Sequence, residues 1–289
     1  MGYKLKLTQV AFILESFYGG ASIRRVTCQF RIFYGLPISP ATVLRYVVRH
    51  SKLCYDAAFY FLTNGAIMLP HFKKKKYEFK LYLGDVWEID ETYLSVKGKR
   101  LPLILVRDLK TGFIIVGKLT ESVTAKAIKE VLIMARALAF KSPKELRCDG
   151  LQSYARPVRI VFKGKTKLSV HKREGEMGRN EAIEGTIRAL KDRLKRMLGL
   201  HSFKVSPIIV EGTILDFNFV RKSEALGSKT PAEVALKRKT IINQDEGWLF
   251  LLRLAKIYER IQCCKNCKKQ RRNYLESDEH QTSLDSFID

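Results

Sequence analysis

Residues Asp85 to Val96 read DVWEIDETYLSV, and this stretch decides how the middle of the chain folds. β-Branched and aromatic side chains of this kind favour an extended strand. Residues 101–108 (LPLILVRD) and 112–119 (GFIIVGKL) have a similar composition, and turn-forming sequences at 97–99 and 110–112 separate the three segments. The pattern predicts three strands in an antiparallel meander.

The segments after the predicted meander alternate between helix-like and strand-like patterns. Apolar residues recur at helical spacing from Val123 to about Phe140, and Ser122 is in position to cap that helix. Further on, the sequence predicts strands over 145–149, 158–162 and 168–171 and a strong helix over 181–199. Strands and helices in this order indicate an α/β fold, with a mixed sheet and flanking helices.

The N-terminal region is predicted to be a separate, all-helical unit. Its third helix starts at Ser39-Pro40 and carries Arg45 and Arg49 on one side. Helix, short glycine-containing turn and basic helix are typical of a helix-turn-helix, although any three-helix unit would give a similar pattern. We therefore divide the chain into a helix-turn-helix DNA-binding domain (1–55), a connector (56–83), a catalytic domain (84–240) and a C-terminal helix with a basic and acidic tail (241–289).

The charge of the chain indicates a polyanionic partner. Lys and Arg number 53 against 29 Asp and Glu, which leaves a net charge of +24. Cations placed against phosphates release condensed counterions, so nucleic acid, ribosome or an anionic membrane surface would all fit. The apolar stretch 57–70 is too short to cross a bilayer, and the N-terminus lacks the apolar part of a secretory signal. These features predict a soluble protein of the cytoplasm.

Three acidic residues lie at positions that suggest ligand binding, either inside a predicted strand or at the end of a predicted element. Asp90 lies within the first predicted strand, Asp149 ends the fourth, and Glu184 lies in the first turn of a basic helix. A buried carboxylate is costly unless it is paired or binds metal, and the ends of strands are common ligand positions. Taken singly, each acid could instead form a salt bridge in this basic chain.

The helix that carries Glu184 has two neighbouring stripes of side chains. An apolar stripe faces the core, and a stripe one residue later has a carboxylate at its head and three cations behind it. This arrangement suits metal binding at one point and phosphate binding beyond it, but it also fits an ordinary amphipathic helix. The apolar stripe is Ile183, Ile187, Leu190, Leu194 and Met197, and the charged stripe is Glu184, Arg188, Lys191 and Lys195.

Three segments together resemble the catalytic blocks of DDE transposases from prokaryotic insertion sequences. They are WEIDETYLSVKGKR (87–100), LRCDGLQSY (146–154) and RNEAIEGTIRALKDRLKRMLGLHSF (179–203). The nearest group is the insertion-sequence-six group, which moves by cointegrate formation. The separation of 34 residues between Asp149 and Glu184, with Asn180 before the helix, is characteristic of that group. The resemblance covers roughly residues 20 to 235.

The resemblance implies an RNase H-like (integrase-like) catalytic domain in which Asp90, Asp149 and Glu184 are the catalytic and metal-binding residues. It further implies two Mg²⁺ or Mn²⁺ ions per active site, because hard oxygen ligands suit these cations and paired ions favour in-line displacement at phosphorus. The implied reaction is cleavage of DNA at the element ends, followed by attack of the exposed 3′-OH on target DNA.

Double-stranded DNA is accordingly the expected partner. Arg45 and Arg49 are the expected contacts in the helix-turn-helix, and Arg188, Lys191 and Lys195 those in the catalytic domain. A homo-oligomer is expected because two element ends must be joined, with no membrane association and with localisation at the prokaryotic nucleoid. Two alternatives remain open at this stage: a non-catalytic DNA-binding protein or repressor derived from a transposase, and an RNase H-type nuclease that cuts without joining.

Overall fold

The structure, a computed structural model, describes residues 5–64, 66–68, 76–149, 152–170, 181–196, 200, 202–237 and 247–263. Asn180, Met197 and the tail beyond residue 263 lie outside these residues. All three acids of the predicted catalytic set are within the described part of the chain.

The N-terminal region consists of three helices, α1 (Leu7–Tyr18), α2 (Ile23–Tyr34) and α3 (Pro40–Asn64). Helix α2 starts at Ser22, whose side chain accepts a hydrogen bond from the Arg25 amide, and ends at Gly35 in the left-handed conformation (φ 63°). The predicted order of helix, glycine turn and basic helix is therefore present. Helix α3 continues to Asn64, so the proposed boundary between residues 55 and 56 falls inside a helix.

After α3 come two short paired strands and then the predicted meander. The short strands are β1 (Ala66–Met68) and β2 (Lys76–Glu78). The meander is formed by β3 (Val86–Val96), β4 (Lys99–Asp108) and β5 (Ile114–Leu119), each antiparallel to the next. Lys97 and Gly98 both have positive φ, as a tight two-residue hairpin turn requires.

The next part of the chain adds two parallel strands and two helices. They are α4 (Ala125–Ala139), β6 (Glu145–Cys148), α5 (Ala155–Phe162) and β7 (Lys167–Val170), with a 3₁₀ turn (Gln152–Tyr154) before α5. The predicted strand over 158–162 is wrong: this segment is helical, because Pro157, Val158, Val161 and Phe162 are buried together at helical spacing. The predicted cap of α4 is also wrong, since Thr124 and not Ser122 accepts the amide hydrogen bond.

The remaining helices complete the domain. They are α6 (Glu181–Arg196), α7 (Ser206–Leu215), which continues into a π-helical turn (Asp216–Val220), α8 (Pro231–Ala235) and α9 (247–263). The five-stranded sheet has the order β5-β4-β3-β6-β7, with parallel pairing of β3 to β6 and of β6 to β7. Helix α4 packs on β4 and β5, α6 packs on β3, and α7 packs on β5. The predicted mixed sheet with flanking helices, preceded by a helical region, is confirmed.

Tyr18 joins the N-terminal helices to the rest of the core. Its side chain is fully buried, its hydroxyl hydrogen-bonds with Ser51 on α3 (2.7 Å), and its ring stacks on Trp248 of α9 at 4.9 Å. Its main-chain carbonyl, near the end of α1, accepts a hydrogen bond from Arg193 on α6. No described helix is both long and apolar enough to cross a membrane.

Candidate active site

The pairing of β3 with β6 places Asp90 beside Asp149. The two strands are parallel, with Glu88 opposite Arg147. Asp90 is two residues beyond Glu88, and Asp149 is two residues beyond Arg147 and directly after the end of β6. Because side chains alternate with a period of two and neighbouring strands lie about 4.8 Å apart, both carboxylates fall on one face at the same level.

A third carboxylate, that of Glu91, joins these two. One ligand oxygen each of Asp90, Glu91 and Asp149 lie within 4.8 Å of one another. Asp90 and Glu91 are half-buried, whereas Asp149 is exposed, so the cluster is accessible from solvent. A group of carboxylate oxygens at this separation fits the ligand preference of Mg²⁺ or Mn²⁺.

The carboxylates of the cluster repel one another when they are ionised. Burial, and then the negative charges of Asp149, Glu91 and Glu184, raise the pKa of Asp90 to about 7, against the lowering effect of the Glu91 amide. That amide donates to Asp90 Oδ1 at 2.9 Å. The pKa of Glu91 is also raised, mainly by burial and further by Asp149, although a hydrogen bond from Tyr154 opposes the change. A divalent cation would relieve this repulsion, so the residues fit a metal.

Glu184 lies on α6, which packs against β3. Its side chain is exposed and is not part of the group within 4.8 Å, yet it is near enough for its charge to raise the pKa of Asp90. The predicted apolar stripe of this helix is buried at Ile183, Ile187, Leu190 and Leu194, while Met197 lies outside the described residues. Burial of this stripe turns the Glu184 side of α6 towards solvent, beside the acidic cluster.

Glu91 was missed by the sequence analysis, and strand periodicity explains why. Consecutive residues of a strand point to opposite faces, so the pattern assigns Glu91 to the face away from Asp90. The one sequence signal for it was its place beside Asp90 in the DET segment. The position of its carboxylate in three dimensions, held by a hydrogen bond from the hydroxyl of Tyr154, shows that it belongs to the site.

The cationic residues predicted to contact DNA lie on two helices, α6 and α3. Arg188 and Lys195 are exposed on α6 and Lys191 is half-buried, all on the stripe that begins with Glu184. Arg45 and Arg49 are exposed on α3, while Val43 and Val47 of the same helix are buried. The two basic surfaces thus belong to different helices, one next to the acidic cluster and one in the N-terminal region.

The site thus consists of a mixed sheet in which carboxylates from the middle of β3 and from the end of β6 cluster together. The profile of a family described as a DDE domain matches residues 84–223, just under half of the chain and the part that contains all three predicted acids. This segment is similar to that family, and the similarity supports a DDE-type transposase. The similarity to this family supports polynucleotidyl transfer as the general activity.

Solved structures with similar folds include retroviral integrases. The catalytic core domain of HTLV-2 integrase, in complex with magnesium, is 15% identical, with a TM-score of 0.43 over 54% of this chain and 99% of that one. The catalytic core domain of BIV integrase is 16% identical, with a TM-score of 0.42 over 53% and 95%. The simian T-cell lymphotropic virus intasome, in complex with a PP2A regulatory subunit, is 16% identical, with a TM-score of 0.41 over 53% and 55%. No curated protein sequence matches the chain.

Proposed function

We propose that this protein is the transposase of a prokaryotic insertion sequence, which cuts DNA at the element ends and joins the resulting 3′-OH to target DNA. The observation that carries the proposal is the convergence of Asp90 and Asp149, 59 positions apart in the sequence, on one side of the sheet beside α6. In this proposal Asp90, Asp149 and Glu184 are the catalytic, metal-binding residues.

The residues fit two Mg²⁺ or Mn²⁺ ions, which when bound would activate the attacking oxygen and stabilise the leaving oxygen of an in-line displacement. Asp90 and Asp149 hold the site from adjacent strands, and Glu184 approaches it from α6. Asp90 must lose its proton to ligate, which its hydrogen bond from the Glu91 amide assists. The rigid sheet fixes the two aspartates, so little reorganisation is needed when the scissile phosphate arrives.

The two basic surfaces give the proposed enzyme separate contacts with double-stranded DNA. The cationic stripe of α6 (Arg188, Lys191 and Lys195) leads away from the acidic cluster and would bind the backbone next to the cleaved phosphate. Arg45 and Arg49 on α3 would contact the element end, as the second helix of a helix-turn-helix does in the major groove. Since two ends must be brought together, we propose a homo-oligomer acting at the nucleoid, in the cytoplasm.

The test is a strand-transfer assay with oligonucleotides that carry the end sequences flanking the gene. The purified full chain is expected to nick the ends and join them to a plasmid in Mg²⁺ or Mn²⁺ and not in EDTA. Asp90→Asn and Asp149→Asn are each expected to lower the rate by at least a thousandfold. Asp192→Asn, which removes an exposed carboxylate from the same helix as Glu184, is the matched control and is expected to leave the rate within twofold.

The same assay separates the other two functions. A nuclease that cuts without joining would give nicked ends and no strand-transfer product. If the protein is a non-catalytic DNA-binding protein or repressor, the parent and Asp90→Asn should retard end-sequence DNA in a gel to the same extent. Neither of the two proteins should then give a metal-dependent product. The acidic cluster favours catalysis, because carboxylates whose burial and mutual repulsion raise the pKa of Asp90 and of Glu91 serve no evident purpose in binding a polyanion.

A further inference from the structure

We propose that Glu91 is a fourth metal-ligating carboxylate and that Tyr154 is a positioning residue that aims it at the metals. This inference rests on the proposed function and adds to it two residues outside the three-acid set. Glu91 lies with Asp90 and Asp149 in the group whose ligand oxygens are within 4.8 Å of one another. Tyr154 donates its phenolic hydrogen bond to Glu91 Oε2.

Tyr154 is held rigidly enough to serve as such a support. Its side chain is fully buried, in the 3₁₀ turn that follows Asp149 and precedes α5. That turn contacts both α4 and α5, so the ring is fixed by the packing of two helices. The hydroxyl therefore connects the loop that carries Asp149 to strand β3, which carries Asp90 and Glu91.

The hydrogen bond also restricts the orientation of the Glu91 carboxylate. Glu91 Oε2 accepts the hydrogen bond from Tyr154, so the carboxylate is held in place through that oxygen. A strand side chain would otherwise alternate to the opposite face, and a glutamate has several rotamers of similar energy. Donors that orient metal-ligating carboxylates in this way raise affinity by restricting the ligand to the productive rotamer.

The charge balance gives Glu91 a distinct role. Asp90, Asp149 and Glu184 supply three negative charges, whereas two divalent cations carry four positive ones. Glu91 as a fourth carboxylate makes the loaded site neutral before any phosphate enters. Removal of its charge should therefore weaken metal binding most clearly when DNA is absent.

Titration of the full chain with Mn²⁺ alone, followed by electron paramagnetic resonance without DNA, tests the inference. Tyr154→Phe is expected to raise the Mn²⁺ dissociation constant about tenfold, as the loss of an orienting partner does in other metal sites. Glu91→Gln is expected to raise it at least as much. In the double variant the effect of Tyr154→Phe should disappear, because Tyr154 acts through the Glu91 carboxylate.

Two further variants control for the loss of a hydroxyl and for a failure of Tyr154→Phe to fold. Tyr93→Phe removes a phenolic hydroxyl from an exposed side chain on the same strand and is expected to leave Mn²⁺ binding unchanged. Glu91→Asp keeps the charge but shortens the side chain by one methylene, so it should lose the Tyr154 contact and bind Mn²⁺ as weakly as Tyr154→Phe. This variant leaves the buried ring intact and covers the case in which Tyr154→Phe does not fold.

The outcomes distinguish this inference from the proposed function. It is overturned if Tyr154→Phe and Glu91→Asp both bind Mn²⁺ within twofold of the parent, or if the effects of Tyr154→Phe and Glu91→Gln add in full. In either case Asp90→Asn would still abolish Mn²⁺ binding and strand transfer. If Asp90→Asn itself binds Mn²⁺ and joins strands normally, the proposed function fails instead.

Discussion

Replacement of Asp90 by Asn should stabilise the metal-free protein while it abolishes catalysis. Burial and three neighbouring carboxylates raise the pKa of Asp90 from an ordinary value of 3.8 to about 7. Ionised Asp90 is therefore a cost to the folded state. Asn has nearly the same shape and can still accept the hydrogen bond from the Glu91 amide, but it is never charged.

The size of the effect follows from the pKa. At about 1.4 kcal/mol for each tenfold change in acidity, a rise from 3.8 to about 7 corresponds to roughly 4 kcal/mol. Because Asp90 is half-buried, solvent screening reduces this to about 2 kcal/mol. For a chain of 289 residues that gain corresponds to an increase of roughly 3 °C in Tm.

The raised pKa also predicts how the stability difference between the parent and Asp90→Asn changes with pH. Below pH 3.8 Asp90 is protonated in both states, so the parent and Asp90→Asn should then have similar stability. Between pH 3.8 and about 7 the unfolded state releases the proton and the folded state retains it, so the parent loses stability as the pH rises. Above pH 7 the penalty is complete, and the advantage of Asp90→Asn is greatest.

Thermal unfolding in EDTA at pH 8 and pH 4 measures this difference. Asp192→Asn, on the exposed side of α6, is the control and should change Tm by at most about 1 °C. Addition of Mn²⁺ at pH 8 should raise the Tm of the parent and leave that of Asp90→Asn unchanged. The electrostatic reasoning is refuted if Asp90→Asn has no higher Tm than the parent at pH 8, or if its gain is as large at pH 4.

Three further changes test the core and the DNA-binding surface. Gly212→Ala would place a Cβ 2.0 Å from the hydroxyl oxygen of Tyr18, so it should destabilise the fold by about 3 kcal/mol in urea unfolding, although alanine normally stabilises a helix. Arg107→Met leaves the fully buried Glu88 without the cation 3.2 Å away and should cost about 3 kcal/mol by the same measurement, whereas Met in both positions should recover most of that loss. Lys195→Ala should weaken the binding of end-sequence DNA and of random DNA alike, as measured by fluorescence anisotropy. The slope of log affinity against log salt concentration should become smaller by about 1. An effect confined to the end sequence would contradict a contact with the DNA backbone.

Local patterns were sufficient for most of the fold. The meander over 85–119 was predicted because side-chain composition and turn residues mark strands independently of distant contacts. Helix α6 was predicted from its apolar stripe, which the sheet buries. The segment 158–162 was misassigned because a short apolar run is equally compatible with a strand and a buried helix, and packing against α4 decides between them.

The division into domains remains a prediction. Helix α3 runs without interruption across residue 55, and Tyr18, Ser51 and Trp248 connect the N-terminal helices to α9. These contacts depend on residues far apart in the sequence, which no local pattern reveals. The N-terminal helices therefore share a core with the rest of the chain, whatever their role in binding DNA.

The amino-acid sequence by itself determined the element types and the basic character, because periodicity and composition are local properties. The resemblance of three segments to DDE transposases added Asp90, Asp149 and Glu184 as candidate catalytic residues. The tertiary structure alone decided that Asp90 and Asp149 are neighbours, that Glu91 joins them and that Tyr154 supports it. Those relations depend on the register between two parallel strands and on the packing of a turn against two helices. Such pairings depend on the burial of the whole sheet. They cannot be read from the local sequence around any one of these residues.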